Sequence, residues 1–148
     1  MYSIFYTLLH FGQKYTKKYG GGKRQFTTMF ITWILRIIYS CDINLDADID
    51  KTVKFSHCAL GVVIHGKASI GAGTQIEVNT VIGQTHDGKV PKIGRNCLIG
   101  ANSVLVGSIV LGDNVKVGAG AVVVQNVPSN CTVVGVPAKV IYSCDECR

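Results

Sequence analysis

The apolar positions of this chain recur every six residues. Ile93, Ile99, Leu105, Leu111, Val117 and Val123 form one unbroken series. Ile64, Ile70, Ile76 and Ile82 form a second, and Ile43, Ile49 and Phe55 a third. Glycine often follows directly, as at Gly71, Gly83, Gly94, Gly100, Gly112 and Gly118. Neither an α-helix nor a hairpin sheet requires this period. A chain that turns after every short strand does, with one inward aliphatic on each face. Stacked coils of this kind bury a continuous column that no single coil could bury alone. The pattern predicts an all-β parallel β-helix over residues 41–140, a helical segment over 1–40 and a short tail over 141–148.

The N-terminal segment follows a different rule. Residues 2–11 read as a helix with Phe5, Leu8 and Leu9 on one side, broken by the glycines of KKYGGGKR. A second helix is predicted from about Phe26 to Tyr39, where Phe26, Phe30, Trp33 and Ile37 are spaced by 4, 3 and 4 and are flanked by Met29 and Ile34. This stripe is expected to pack on the first coil or against a partner subunit. The run from Thr27 to Ser40 is too short to span a membrane, and Arg36 interrupts it. The helices can cap one open end of the β-helix, and VVGVPAKVIYS reads as the exit from its last coil.

The six-residue period fails twice. From Phe55 to Ile64 the gap is nine residues, with the extra three in SHCALG. From Ile82 to Ile93 it is eleven, with the extra five in QTHDGKVPK. Insertions in a solenoid become loops on one face, often the binding face.

Charge adds a second asymmetry. Residues 1–40 carry Lys14, Lys17, Lys18, Lys23, Arg24 and Arg36 and no acid, so the net charge of +6 belongs wholly to this segment. A basic segment beside an apolar one can touch an anionic membrane surface. No recognition-helix pattern, zinc finger or basic stripe with interleaved aromatics supports nucleic-acid binding. With six cysteines and no signal-peptide pattern, the expectation is a cytoplasmic protein with free thiols, with a peripheral contact at the inner membrane face as an extension. Cys144 and Cys147 form a lone CxxC without further ligands nearby, so no metal is expected.

Of the four histidines, His57 stands apart. It lies in the first interruption, beside the small residues Ser56, Cys58 and Ala59. Neutral imidazole suits a general base near neutral pH. Asp42 lies fifteen residues upstream, close to one coil of roughly eighteen residues, so the two can meet on adjacent coils. A carboxylate on the far ring nitrogen would fix the tautomer and favour the imidazolium. His65 reads as a turn residue and His10 as a helix residue.

These segments resemble a known family. CDINLDADI, SHCALGVVIHGKASIG, NTVIGQ, the repeats from VPKIG to QNVP, and VGVPAKV are similar to the left-handed β-helix acyltransferases of the hexapeptide-repeat class. Within that class they are most similar to the serine acetyltransferases. The resemblance covers about two thirds of the chain. It implies direct transfer of acetyl from acetyl-CoA to a hydroxyl, with His57 as catalytic base paired to Asp42. It places the coenzyme along the outside of the β-helix against Ala101 and Ala119, with Lys139 near its phosphates. A backbone N–H near Gly83 or Gln84 is the candidate oxyanion donor. It also implies a homotrimer with active sites at the subunit boundary.

The chain departs from the family at the acceptor end. Lys89 and Val90 precede Pro91 where the family has Arg and His, and His86 is the candidate substitute. Ser56 replaces the Asp that usually precedes the catalytic histidine. The helical part is short. The expected function is a serine O-acetyltransferase; the alternative is O-acetylation of a sugar or of a capsular or exopolysaccharide precursor.

Overall fold

The computed structural model describes residues 2–18 and 22–143. Two helices, α1 (Tyr2–Lys18) and α2 (Gly22–Tyr39), precede fifteen short strands. The strands form three faces of a left-handed parallel β-helix. The first face carries β1 (Asp42–Ile43), β4 (Val63–Ile64), β7 (Val81–Gly83), β10 (Val104–Val106) and β13 (Val122–Val123). The second carries β2 (Asp48–Ile49), β5 (Ser69–Ile70), β8 (Lys92–Ile93) and β11 (Val110–Leu111). The third carries β3 (Lys54–Phe55), β6 (Gln75–Ile76), β9 (Leu98–Ile99), β12 (Lys116–Val117) and β14 (Cys131–Val134).

Each inward aliphatic of the six-residue series is buried: Ile43, Ile64, Ile82, Leu105 and Val123 stack on the first face, with equivalent columns on the other two. In-register pairing aligns them, as Ile64 with Ile82 and Ile82 with Leu105. The coils turn at three edges. Asparagines at several of these corners adopt positive φ, which Asn tolerates better than most residues.

The helices close the N-terminal end. Phe5 meets Tyr39 and Phe55 edge-on at 5.2 and 5.8 Å. The Phe55 N–H donates to Tyr6 Oη at 2.7 Å, and Gln13 Nε2 donates to the Ala47 carbonyl at 3.0 Å. Side chains of α1 thus satisfy backbone groups that a terminal coil leaves unpaired. Phe5 and Leu9 are buried and Leu8 packs against the core, matching the face expected of the first helix. Both helices extend further toward the glycines than the sequence suggested.

The packing of α2 corrects one half of an expectation, since the predicted stripe does not pack on the first coil. Ile31, Leu35 and Tyr39 face the core, whereas Phe26, Phe30, Trp33 and Ile37 are exposed, Trp33 by 58%. The helix is apolar around most of its circumference, so its periodicity offers two stripes. The hydrophobic end of the first coil takes the stripe spaced by four.

At the other end, β15 (Lys139–Ser143) returns antiparallel along β14 after a cis Val136–Pro137 bond. The β-structure therefore runs past residue 140. Cys144 and Cys147 lie outside the described residues.

Candidate active site

The first interruption forms a tight 3₁₀ turn over Ser56–Ala59. Three consecutive residues, His57, Cys58 and Ala59, hold φ of 48°, 54° and 61°. Each non-glycine residue in this region costs on the order of 1 kcal/mol. The surroundings over-determine the turn. Cys58 and Ala59 are buried in the core. The Val62 N–H donates to the Ala59 carbonyl and the Gly61 N–H to the Ser40 carbonyl, both at 2.9 Å. His57 is left exposed, and its ring makes no hydrogen bond to the described residues. Backbone strain of this kind clusters at functional sites, which makes His57 a candidate.

Asp42 stands beside this turn, because its N–H donates to the Val62 carbonyl at 2.8 Å. Its carboxylate points elsewhere than the sequence suggested. Arg36, in the last turn of α2, donates from Nη2 to Oδ2 at 2.6 Å and from Nε to Oδ1 at 3.2 Å. The pairing raises the Arg36 pKa, chiefly through the hydrogen bond. Arg36 is the residue that sequence reasoning missed; it read only as a charge interrupting an apolar helix. Near this pair, burial and then the Asp42 charge push the Cys41 thiol up to about 12. It is therefore a protonated packing residue. Burial likewise raises the Cys97 pKa.

The remaining candidates sort by edge. The turn bearing His57 leads from the third face to the first. Ala101 lies at the same edge between β9 and β10, and Ala119 between β12 and β13. Backbone bonds run along this edge from coil to coil: Asn79 N–H to Leu60 O at 2.9 Å, Asn102 N–H to Val78 O at 3.0 Å and Gly120 N–H to Ala101 O at 2.8 Å. With coils about 4.8 Å apart, Ala119 is roughly three coils, or about 14 Å, from the turn. Lys139 is exposed at the far end, where β15 begins next to Val134.

Small residues, Gly100, Ala101, Gly118, Ala119 and Gly120, line this edge over its last coils. A Cβ on Gly100 would lie 2.6 Å from Ala119 N, and one on Gly118 would lie 2.7 Å from Val134 Cγ1. Gly120, at φ +69°, faces open space. Gly100 and Gly118 thus let the coils stack closely, and the open space beside Gly120 leaves room for an extended ligand such as a pantetheine-like arm.

The second interruption leaves a different edge. Residues 84–91 join β7 on the first face to β8 on the second. Gly83 lies at that edge, paired with Val106, so a whole face separates it and His86 from His57. The loop is held from within. The Thr85 hydroxyl donates to Asp87 Oδ1, Lys89 Nζ lies 3.1 Å from Asp87 Oδ2, and the Thr85 N–H donates to the Lys89 carbonyl at 3.1 Å. These bonds, Thr85 first and Lys89 next, lower the Asp87 pKa to about 2. His86 is exposed. His65 accepts the Lys67 N–H at Nδ1, 3.2 Å, as a turn residue does.

Among the described residues no group of three or more His, Cys, Asp or Glu could hold a metal ion. A groove of about 840 Å³ between α1 and the first coil, lined by Tyr6, His10, Phe11, Lys14, Ile49 and Lys51, opens away from the His57 edge. No described helix is long and apolar enough to cross a membrane.

Known proteins resemble this chain in sequence and fold. Residues 92–125 match the family described as the hexapeptide repeat of succinyl-transferase. The serine acetyltransferase of Synechococcus elongatus is 36% identical over 115 residues, which is 76% of this chain and 47% of that protein. A crystal structure of Neisseria gonorrhoeae serine acetyltransferase in complex with serine has a TM-score of 0.82 and 31% identity, covering 91% of this chain and 54% of that one. A Brucella abortus serine acetyltransferase in complex with coenzyme A has a TM-score of 0.84 and 28% identity, covering 94% and 55%. The fold is that of the hexapeptide-repeat, left-handed β-helix acyltransferase superfamily. Within it, the chain belongs to the serine acetyltransferase family. It spans about half the length of the curated relatives it matches.

Proposed function

We propose that this protein is an acetyl-CoA-dependent O-acetyltransferase acting on serine or a serine-like small molecule. The observation that carries the reading is the shared edge: the strained His57 turn and the small residues Ala101 and Ala119 lie on one line of stacked corners. The relatives crystallised with coenzyme A and with serine support the two substrates.

His57 takes the proton from the acceptor hydroxyl as its oxygen attacks the thioester carbonyl. The new C–O bond forms, the C–S bond breaks, and the proton passes to the departing thiolate. Proton transfer by a positioned base contributes about 10²–10⁴ in rate. Asp42 stands beside the turn with its carboxylate held by Arg36, and would have to leave that pair to orient the His57 ring. Ala101 and Ala119 let the pantetheine arm lie against the main chain, and Lys139 attracts the phosphates. The two interruptions leave different edges, so a site using both His57 and the loop with Gly83 and His86 needs a second subunit. That geometry favours the trimer, with each site closed by a neighbour's loop.

Thiol release from acetyl-CoA tests the reading, with L-serine, sugars and sugar nucleotides as acceptors and His57→Ala as control. Turnover of serine that disappears in the variant is expected. Turnover only with a sugar, again lost in the variant, would keep the chemistry and change the acceptor. Turnover indifferent to His57 would overturn the mechanism.

A further inference from the structure

The edge that carries His57 is not uniform. The residue after the inward aliphatic at this corner is Ser56 in the first coil, Glu77 in the second, Gly100 in the third and Gly118 in the fourth. Phe55 pairs with Ile76, so Ser56 and Glu77 continue the same register into the corner. They are neighbours on adjacent coils, about 4.8 Å apart along the stack. The repeat tolerates glycine here twice, with main chain packed closely above it. A glutamate at this position is a departure from the repeat, made next to the histidine.

The main chain of Glu77 is fixed. Its N–H donates to the Ile99 carbonyl at 2.9 Å, and its carbonyl accepts the Thr80 hydroxyl at 2.8 Å. Its side chain is half-buried and has a neutral partner, since Gln75 Nε2 donates to Oε1 at 2.7 Å. No cation among the described residues pairs with it. Asp42, the other carboxylate beside His57, has both oxygens on Arg36. Lys54 faces Gln75 on the adjacent coil without an ion pair to Glu77, so Glu77 is the carboxylate beside the turn that no cation among the described residues holds.

We propose that Glu77 is the acceptor-binding carboxylate, and that it selects an acceptor carrying an ammonium group beside the hydroxyl that is acetylated. The inference rests on the acetyl-transfer reading above and deepens it. A charge-assisted hydrogen bond from an ammonium to Glu77 favours an amino acid over a neutral saccharide, and Gln75 holds the carboxylate ready for it.

The test compares L-serine with 3-hydroxypropionate, which keeps the hydroxyl and carboxylate and lacks the ammonium. The wild type should prefer serine. Glu77→Gln should raise KM for serine about tenfold, leave KM for acetyl-CoA unchanged and erase the preference over 3-hydroxypropionate. Glu77→Asp should recover part of it. His57-dependent turnover with the wild-type preference intact in Glu77→Gln would overturn the proposal and leave the acetyl-transfer reading standing. So would a wild type that prefers a neutral sugar. Calorimetric titration with L-serine covers the case of no turnover: about tenfold weaker binding in Glu77→Gln supports the assignment, and equal binding or none to either protein sinks it. Glu77→Gly, the repeat's own residue, guards against misfolding and should behave like Glu77→Gln.

Discussion

The two interruptions of the six-residue period are built in opposite ways. The first is short and tied into the rest of the molecule. Its three left-handed residues rest on buried Cys58 and Ala59, and it bonds to the coils before and after it. The second is longer, polar and closed on itself, its bonds running among Thr85, Asp87, Gly88 and Lys89. Strain can be stored only where neighbours prevent relaxation. The first therefore fits a fixed catalytic group and the second an adaptable cover. Glu77 extends the contrast, because it sits on a pinned backbone beside the first interruption, whereas His86 stands exposed on the second.

A pair of glycine substitutions gives the largest test of this difference. Gly61 and Gly88 both hold positive φ, at 68° and 75°. A Cβ on Gly61 would overlap Asn79 Oδ1 and lie 3.3 Å from the Asn79 Cα, whereas one on Gly88 meets nothing within 4 Å. Gly61→Ala should destabilise the protein by about 2–3 kcal/mol, adding displacement of Asn79 to the backbone strain. Gly88→Ala should cost about 1 kcal/mol, the strain alone. Denaturant titration of both variants measures the gap. Equal losses would mean that the two interruptions are equally coupled to the core.

Arg36→Gln asks whether the first interruption is also tuned by α2. The Arg36–Asp42 pair is largely exposed, so losing it should cost less than about 1 kcal/mol. Denaturant titration of Arg36→Gln measures that cost, and a loss well above it would show that α2 anchors the strand beside the His57 turn.

Much of this was legible in the sequence, for a definite reason. A solenoid writes each inward position at a fixed interval, so Ile43 through Val123 disclose the columns, and any insertion shows as a break. Counting strands in threes even tells which edge a break leaves: Phe55 ends a third-face strand and Ile82 a first-face one, so His57 and the 84–91 loop had to part. The helices were less readable. In α2 the exposed Phe26, Phe30, Trp33 and Ile37 and the buried Ile31, Leu35 and Tyr39 are both helical stripes, and only the shape of the first coil chooses between them. Arg36 was hidden for a similar reason, since its partner lies across the junction of helix and strand, where neither period applies. Glu77 did leave a signal, a charge in a slot that Gly100 and Gly118 fill later in the chain.

The smallest effect belongs to the second interruption and concerns acid. Hydrogen bonds from Thr85 and Lys89 hold Asp87 near 2, against about 3.9 for an unstructured aspartate. A depressed carboxylate contributes its full stabilising effect above the unfolded value and loses it as pH falls through the folded one. The loop should thus keep its bonds at about pH 3, where an ordinary aspartate is mostly protonated, and release them near pH 2. In NMR titration, the Lys89 amide, which donates to Asp87 Oδ1 at 3.3 Å, should move with that low midpoint in the wild type and stay flat in Asp87→Asn. Because Asp87 is exposed and its bonds stay within the loop, global unfolding should not change. A fall in core stability on this substitution would show that the loop is anchored to the solenoid after all, and the contrast between the two interruptions would have to be redrawn as one of degree.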